Sequence, residues 1–249
     1  MPNLEQNLFE LDVYGFTILE EVLSSDEVSA MKEALIQLCN LHGEEREDCI
    51  HISNLLVRDP VFFKVIDHPK ILPLLEASMG HVGRLPLIIG SLNARIVRPG
   101  DPGQRIHGDI LDDLMKMDGK NPVMMNTVWM LDDFIPAIGA TRVVPGSHKS
   151  GMSLPPEEFE LKHIVTATAS AGSVLIFNGQ CWHGGGANIG QIHRHAIFGH
   201  YRIGPMMRFQ YDPHQDFPTE WLGLLTDKQK QLMRMQDGVG KPHGADEYE

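Results

Sequence analysis

Cysteine is scarce in this chain of 249 residues, and the three present, Cys39, Cys49 and Cys181, have no zinc-binding spacing and leave one thiol over in any disulfide scheme. That excludes a disulfide scaffold and sets the expectation of a reduced, cytoplasmic protein. Positive charge is also short, with 21 Lys and Arg against 33 Asp and Glu, a formal net charge of -12. Nucleic acid and anionic membrane surfaces need clustered cations, so neither is an expected partner, and a polyphosphorylated substrate is disfavoured. No apolar run reaches about 18 residues and no basic-then-apolar leader appears, so neither a membrane span nor a signal peptide is expected. Internal repeats and low-complexity stretches are absent as well. What remains, 42% hydrophobic residues, suffices for a core, read as one domain over 1–249.

The pattern divides that domain into a helical part, about 1–84, a strand-rich core, about 85–205, and a carboxyl-terminal extension. Ser24 and Glu27 form a capping box before Val28, Met31, Leu35 and Leu38, which recur at helical spacing. Asp59-Pro60 and Pro69 open two further helical stretches, the second ending near Gly80. Beyond Leu85, Ser91, Asn93 and Arg95 alternate with Leu92, Ala94 and Ile96. Strands are also expected at Met124 to Leu131, Thr141 to Val144, Ile164 to Thr168, Ser173 to Phe177 and Ala196 to Ile203. Many short strands between Gly and Pro turns indicate a jelly roll or barrel with flanking helices.

The chemistry concentrates in His107-Gly108-Asp109 and in His183, which stands 74 residues after the aspartate. On an extended backbone, side chains at i and i+2 share a face, and a distant strand would supply the third ligand. Two imidazoles and one carboxylate are the ligand set of a facial iron(II) triad with open positions. Taken alone, the triplet also reads as a surface turn with a solvated aspartate. After His183 come Gly184, Gly185 and Gly186, expected to let the backbone pass close to a small ligand. Arg194 follows 11 residues after the histidine on an alternating run, placed to bind a carboxylate with its planar fork. Iron beside such an arginine implies a dicarboxylate co-substrate.

These residues, with Gln104, the run Gly139-Ala140-Thr141-Arg142-Val143-Val144-Pro145-Gly146-Ser147-His148 and Tyr14 to Leu19, resemble the phytanoyl-CoA dioxygenase family of iron(II)/2-oxoglutarate oxygenases. The resemblance covers most of the chain. It implies a mainly β fold with flanking helices, a double-stranded β-helix of the cupin-like jelly-roll type. It implies Fe(II) held by His107, Asp109 and His183, with 2-oxoglutarate and O2 as co-substrates. Arg194 and Thr141 would take the distal carboxylate of 2-oxoglutarate, and Gln104 the end near the metal. Asn93 and Trp129 are further candidates for the same pocket, although a tryptophan more often fills core. Relatives that halogenate lack the carboxylate, so Asp109 implies hydroxylation or another oxidation of a C-H bond.

His148 is expected to be a structural turn residue, Cys181 packing, and His193, His195, His200 and His214 outside the site. The segment from Ile110 to Met125, rich in methionine and aspartate, is either an amphipathic excursion or a lid over an apolar substrate. The leading functional expectation is oxidation of a small, largely apolar metabolite by a monomer or homodimer. An oxygen-independent isomerase or lyase of the cupin sort would use the same ligands without needing Arg194. A binding protein with a degenerate site fits the intact triad poorly.

Overall fold

The computed structural model describes residues 4–80, 86–110, 122–204 and 209–240. Two antiparallel sheets face each other. Strands β1 (Phe16–Leu19), β2 (Glu44–Arg46), β3 (Cys49–Ile52), β4 (Leu87–Val97), β5 (Met124–Met130), β8 (Val174–Asn178) and β10 (Arg194–Ile203) form the larger sheet, in the order β1-β8-β5-β10-β4-β3-β2. Strands β6 (Thr141–Val143), β7 (Val165–Thr166) and β9 (His183–Gly185) form the smaller, in the order β7-β6-β9. This is the expected jelly roll.

Period-two alternation sends successive side chains of each strand to opposite faces. On β4 and β10 one set, including Leu92, Ala94, Ile96, Ile197, Tyr201 and Ile203, packs under helices α1 (Leu4–Val13), α2 (Ser25–His42) and α3 (Leu72–Met79). Between the sheets lies a smaller apolar cluster with Val128, Met130, Val143, Leu175, Phe177 and Ala196. The α2 amino terminus carries the expected box: Ser24 accepts from the Glu27 N–H and Glu27 accepts from the Ser24 N–H. The stretch after Asp59 is a 3-10 helix, Pro60–Val65, capped by the Asp59 carboxylate.

The helical reading of the first 84 residues needs correction. Strands β1, β2 and β3 come from that part and extend the larger sheet, and at three or four residues each is too short to show a period in sequence. The Ile110 to Met125 segment lies for the most part outside the described residues. Its end is described: Met124 and Met125 open β5 and are buried, so these two methionines belong to the core.

Candidate metal centre and co-substrate pocket

His107 and His183 are joined by an antiparallel bridge, with the His107 N–H on the His183 carbonyl at 2.9 Å and the reverse bond at 2.7 Å. The Asp109 N–H donates to the Gly179 carbonyl at 2.8 Å, which anchors the third residue beside them. As a result the two imidazole Nε2 atoms each lie 3.5 Å from a different oxygen of Asp109. One ligand atom from each residue falls within 4.8 Å of the others, the spacing of donors around a single ion.

The backbone also sets the tautomers. His107 Nδ1 lies 2.9 Å from the Arg105 carbonyl, and His183 Nδ1 lies 2.9 Å from the Cys181 carbonyl. A carbonyl only accepts, so each Nδ1 carries the proton and each Nε2 turns a lone pair to the centre. Asn126 Nδ2 donates to Asp109 Oδ2 at 2.6 Å, and His200 Nδ1 donates to Asn126 Oδ1 at 2.8 Å. Burial alone would raise the Asp109 carboxyl, but His183 and His107 outweigh it and hold it below the usual carboxylate range. Asp109 raises the His107 imidazole, whereas burial lowers that of His183.

One cavity joins this cluster to Gln104, Thr141, Gly185 and Arg194, and reaches Asn93, Arg95, Phe198 and His200. Arg194 is 1% exposed, its Nε and Nη1 have no hydrogen-bond partner, and its guanidinium carbon sits 4.7 Å above the Phe134 ring. Burial, with Arg95 adding repulsion, pulls it down to about 10, so it is still a cation at neutral pH. A buried guanidinium without a carboxylate is costly unless a ligand supplies one. The donor set therefore fits the inferred pair of groups: two imidazole Nε2 atoms and a carboxylate for a divalent iron, and an unpaired fork for a dicarboxylate.

 Seven of the eight predicted site residues line this cavity, the triad with Gln104, Thr141, Asn93 and Arg194, and the eighth, Trp129, does not. Trp129 is a correction. It is fully buried on the opposite face of β5, in the core under the helices, with its Nε1 donating to Thr127 Oγ1 at 3.1 Å. Of the glycines after His183, Gly185 lines the cavity, whereas the other two do not. A side chain on Gly184 or Gly186 would meet the backbone at Arg105 or Ala140 at about 3 Å, so these positions serve the close approach of neighbouring chain segments.

His200 was wrongly expected outside the site. It lies six residues beyond Arg194 on the same strand face, so the alternation that turns Arg194 inward also turns His200 inward. His148, by contrast, is structural, as expected: its Nε2 is 3.0 Å from the Asp12 carbonyl, and its ring packs on Gly15, where a side chain would clash at 2.4 Å. His195 binds Asp132 at 2.7 Å away from the cavity, and Cys181 is packing. The walls also run against a largely apolar substrate, because Phe198 is the one apolar side chain among the described lining residues.

Residues 11–196 match the family described as phytanoyl-CoA dioxygenase (PhyH), about three-quarters of the chain. The chain belongs to this family. By class it is an iron(II)- and 2-oxoglutarate-dependent dioxygenase. It is 24% identical to dioxygenase af480 of Aspergillus fumigatus over 94% of this chain and 77% of that protein. It is likewise 24% identical to dioxygenase swnH1 of Arthroderma benhamiae, over 96% of this chain and 83% of that one. Among solved structures, HygX of Streptomyces hygroscopicus, with nickel and 2-oxoglutarate bound, superposes with a TM-score of 0.69 at 20% identity, covering 83% of this chain and 89% of that one. The epimerase SnoN from nogalamycin biosynthesis gives a TM-score of 0.65 at 19% identity, over 81% and 83%. Both share the jelly-roll fold. Among the described residues no helix is long and apolar enough to cross a membrane.

Proposed function

We propose that this dioxygenase hydroxylates a C–H bond of a small metabolite, converting substrate, 2-oxoglutarate and O2 into hydroxylated product, succinate and CO2. His107, Asp109 and His183 hold the iron. Arg194 takes the distal carboxylate of 2-oxoglutarate with the Thr141 hydroxyl, and Gln104 and Asn93 border the same pocket. The bound metal supplies activation of O2 at the expense of the oxoacid. The residues do the rest: the carbonyls of Arg105 and Cys181 hold the Nδ1–H groups and so aim both Nε2 atoms at the centre, Asn126 fixes Asp109, and the sheets exclude bulk water around Arg194.

The observation that carries this reading is the Arg194 guanidinium, buried and missing partners at Nε and Nη1, in the same cavity as the triad. An oxygen-independent isomerase or lyase would use the triad and leave that cation unpaired. SnoN is named as an epimerase, so a fold of this kind carries outcomes other than hydroxylation, and product analysis separates them. Anaerobic addition of iron(II) and 2-oxoglutarate tests the reading. It predicts a visible metal-to-oxoacid charge-transfer band that needs both components; no band with both bound refutes it. Screening metabolites for stimulated succinate release then identifies the substrate.

A further inference from the structure

The cavity has a second unsatisfied group, away from Arg194. His51 on β3 is 5% exposed, and neither of its ring nitrogens has a hydrogen-bond partner. It alternates with Ile50 and Ile52, which pack on the helical side, so its imidazole stands on the cavity face. Register fixes its place. His51 opposes Arg95 of β4, and Arg95 opposes Ala196 of β10, so two strand spacings, about 10 Å, separate His51 from β10.

The surrounding charges narrow what this group can bind. Arg95 is already paired with Asp48 and Arg46 with Glu44, so neither cation calls for an anionic ligand. Burial, with Arg46 and Arg95 nearby, holds the His51 imidazole down at about 4, leaving it neutral at physiological pH with one N–H donor and one lone pair. Asn93 Oδ1 is held by the Asn54 N–H at 3.0 Å and Gln210 Oε1 by Ser91 Oγ at 2.8 Å, which leaves both amide NH2 groups to serve as donors. A hydrocarbon would satisfy none of these groups.

We propose that His51 determines specificity for the prime substrate, and that this substrate carries an uncharged oxygen function, a hydroxyl or carbonyl, which hydrogen-bonds the His51 imidazole while the carbon to be oxidised faces the metal. This rests on the iron and 2-oxoglutarate reading and names the substrate class for it. Sites built to pair with a substrate hydroxyl reject the analogue lacking it strongly, because their own polar group is then stranded.

The test uses full-length protein loaded with nickel(II) and 2-oxoglutarate, with cyclohexanol, cyclohexanone and cyclohexane as probes in ligand-observed saturation-transfer NMR. Wild type is expected to prefer the two oxygenated probes. His51→Leu should weaken them at least tenfold and leave cyclohexane no worse, and His51→Gln, which keeps a donor and an acceptor, should recover much of the loss. No preference in the wild type, or an unchanged preference in His51→Leu, overturns the proposal. If the leucine variant does not fold, the wild-type His51 nitrogen resonances decide: they should move with cyclohexanol and stay with cyclohexane, and equal responses overturn it. Calorimetric binding of 2-oxoglutarate to the same samples keeps the two readings apart. Failure to bind the oxoacid counts against the dioxygenase site, whereas normal binding with indifferent probes counts against His51 alone.

Discussion

The two faces of β4 and β10 belong to the same strands and differ in how completely folding satisfies them. On the helical face, Leu92, Ile96, Ile197 and Tyr201 close a dry core in which the Tyr201 hydroxyl is bound to the Val65 and Ile66 carbonyls at 3.0 and 2.8 Å. On the cavity face, Arg194 of β10 and His51 of β3, the strand beside β4, are also buried, yet both keep nitrogens with no partner. Folding finishes the first face and leaves the second to ligands. Buried groups of that kind are expected to lower stability in return for binding, which is how functional sites depart from local rules.

Substitutions on the two faces should therefore separate stability from activity. The largest effect is expected at the metal: Asp109→Gly should take 2-oxoglutarate turnover, read as succinate formed, below detection, with little change in the unfolding midpoint. Turnover near wild type would remove Asp109 from the ligand set. Next comes Trp129→Ala on the helical face, where losing a fully buried indole should cost about 3 to 5 kcal/mol in denaturant unfolding. In the fraction that stays folded, affinity for 2-oxoglutarate should be unchanged, and a selective loss of oxoacid binding would put Trp129 back in the pocket.

Asn126→Leu tests the support of the metal centre. Removing the amide that holds Asp109 should weaken metal binding about 10- to 100-fold, as for partners that orient metal ligands in general. Metal titration of the apoprotein measures it. The smallest effect is expected at Asp132, outside the cavity, where burial raises the carboxyl but hydrogen bonds from His195 and the Lys32 ammonium bring it down to about 2. A depressed acid adds stability above its unfolded value, near 4, and loses it as the pH falls toward 2. Because the site is partly open to water, Asp132→Asn should cost only about 1 kcal/mol at neutral pH. Thermal unfolding of the two proteins should converge as the pH is lowered from 5 to 2.

How much of this could be read in the sequence depended on the signal each element carries. The capping box at Ser24, the triad and Arg194 were legible because each combines a fixed spacing with a definite chemistry. Trp129 was misplaced because β5 is buried on both faces, so no polar alternation shows which way its residues point. His51 and the strands around it were missed because β2 and β3 are three and four residues long, too short to show a period, and the partner that places His51 in the sheet, β4, is distant in sequence. His200 could have been found, since it shares the parity of Arg194. The tautomers of His107 and His183 could not, because the carbonyls that set them are placed by the fold.

The central claim is that Arg194 is kept buried and unpaired for a dicarboxylate. The most direct measurement is the thermal unfolding of nickel-loaded wild type and Arg194→Met, each with and without 2-oxoglutarate. Without the oxoacid the variant should be at least as stable as wild type, since it loses an uncompensated buried charge. With the oxoacid at about 100 times its dissociation constant, wild type should gain about 2.7 kcal/mol and the variant little. A variant that is several kcal/mol less stable without the oxoacid, and that gains as much from it as wild type does, would contradict the account and make Arg194 a structural residue.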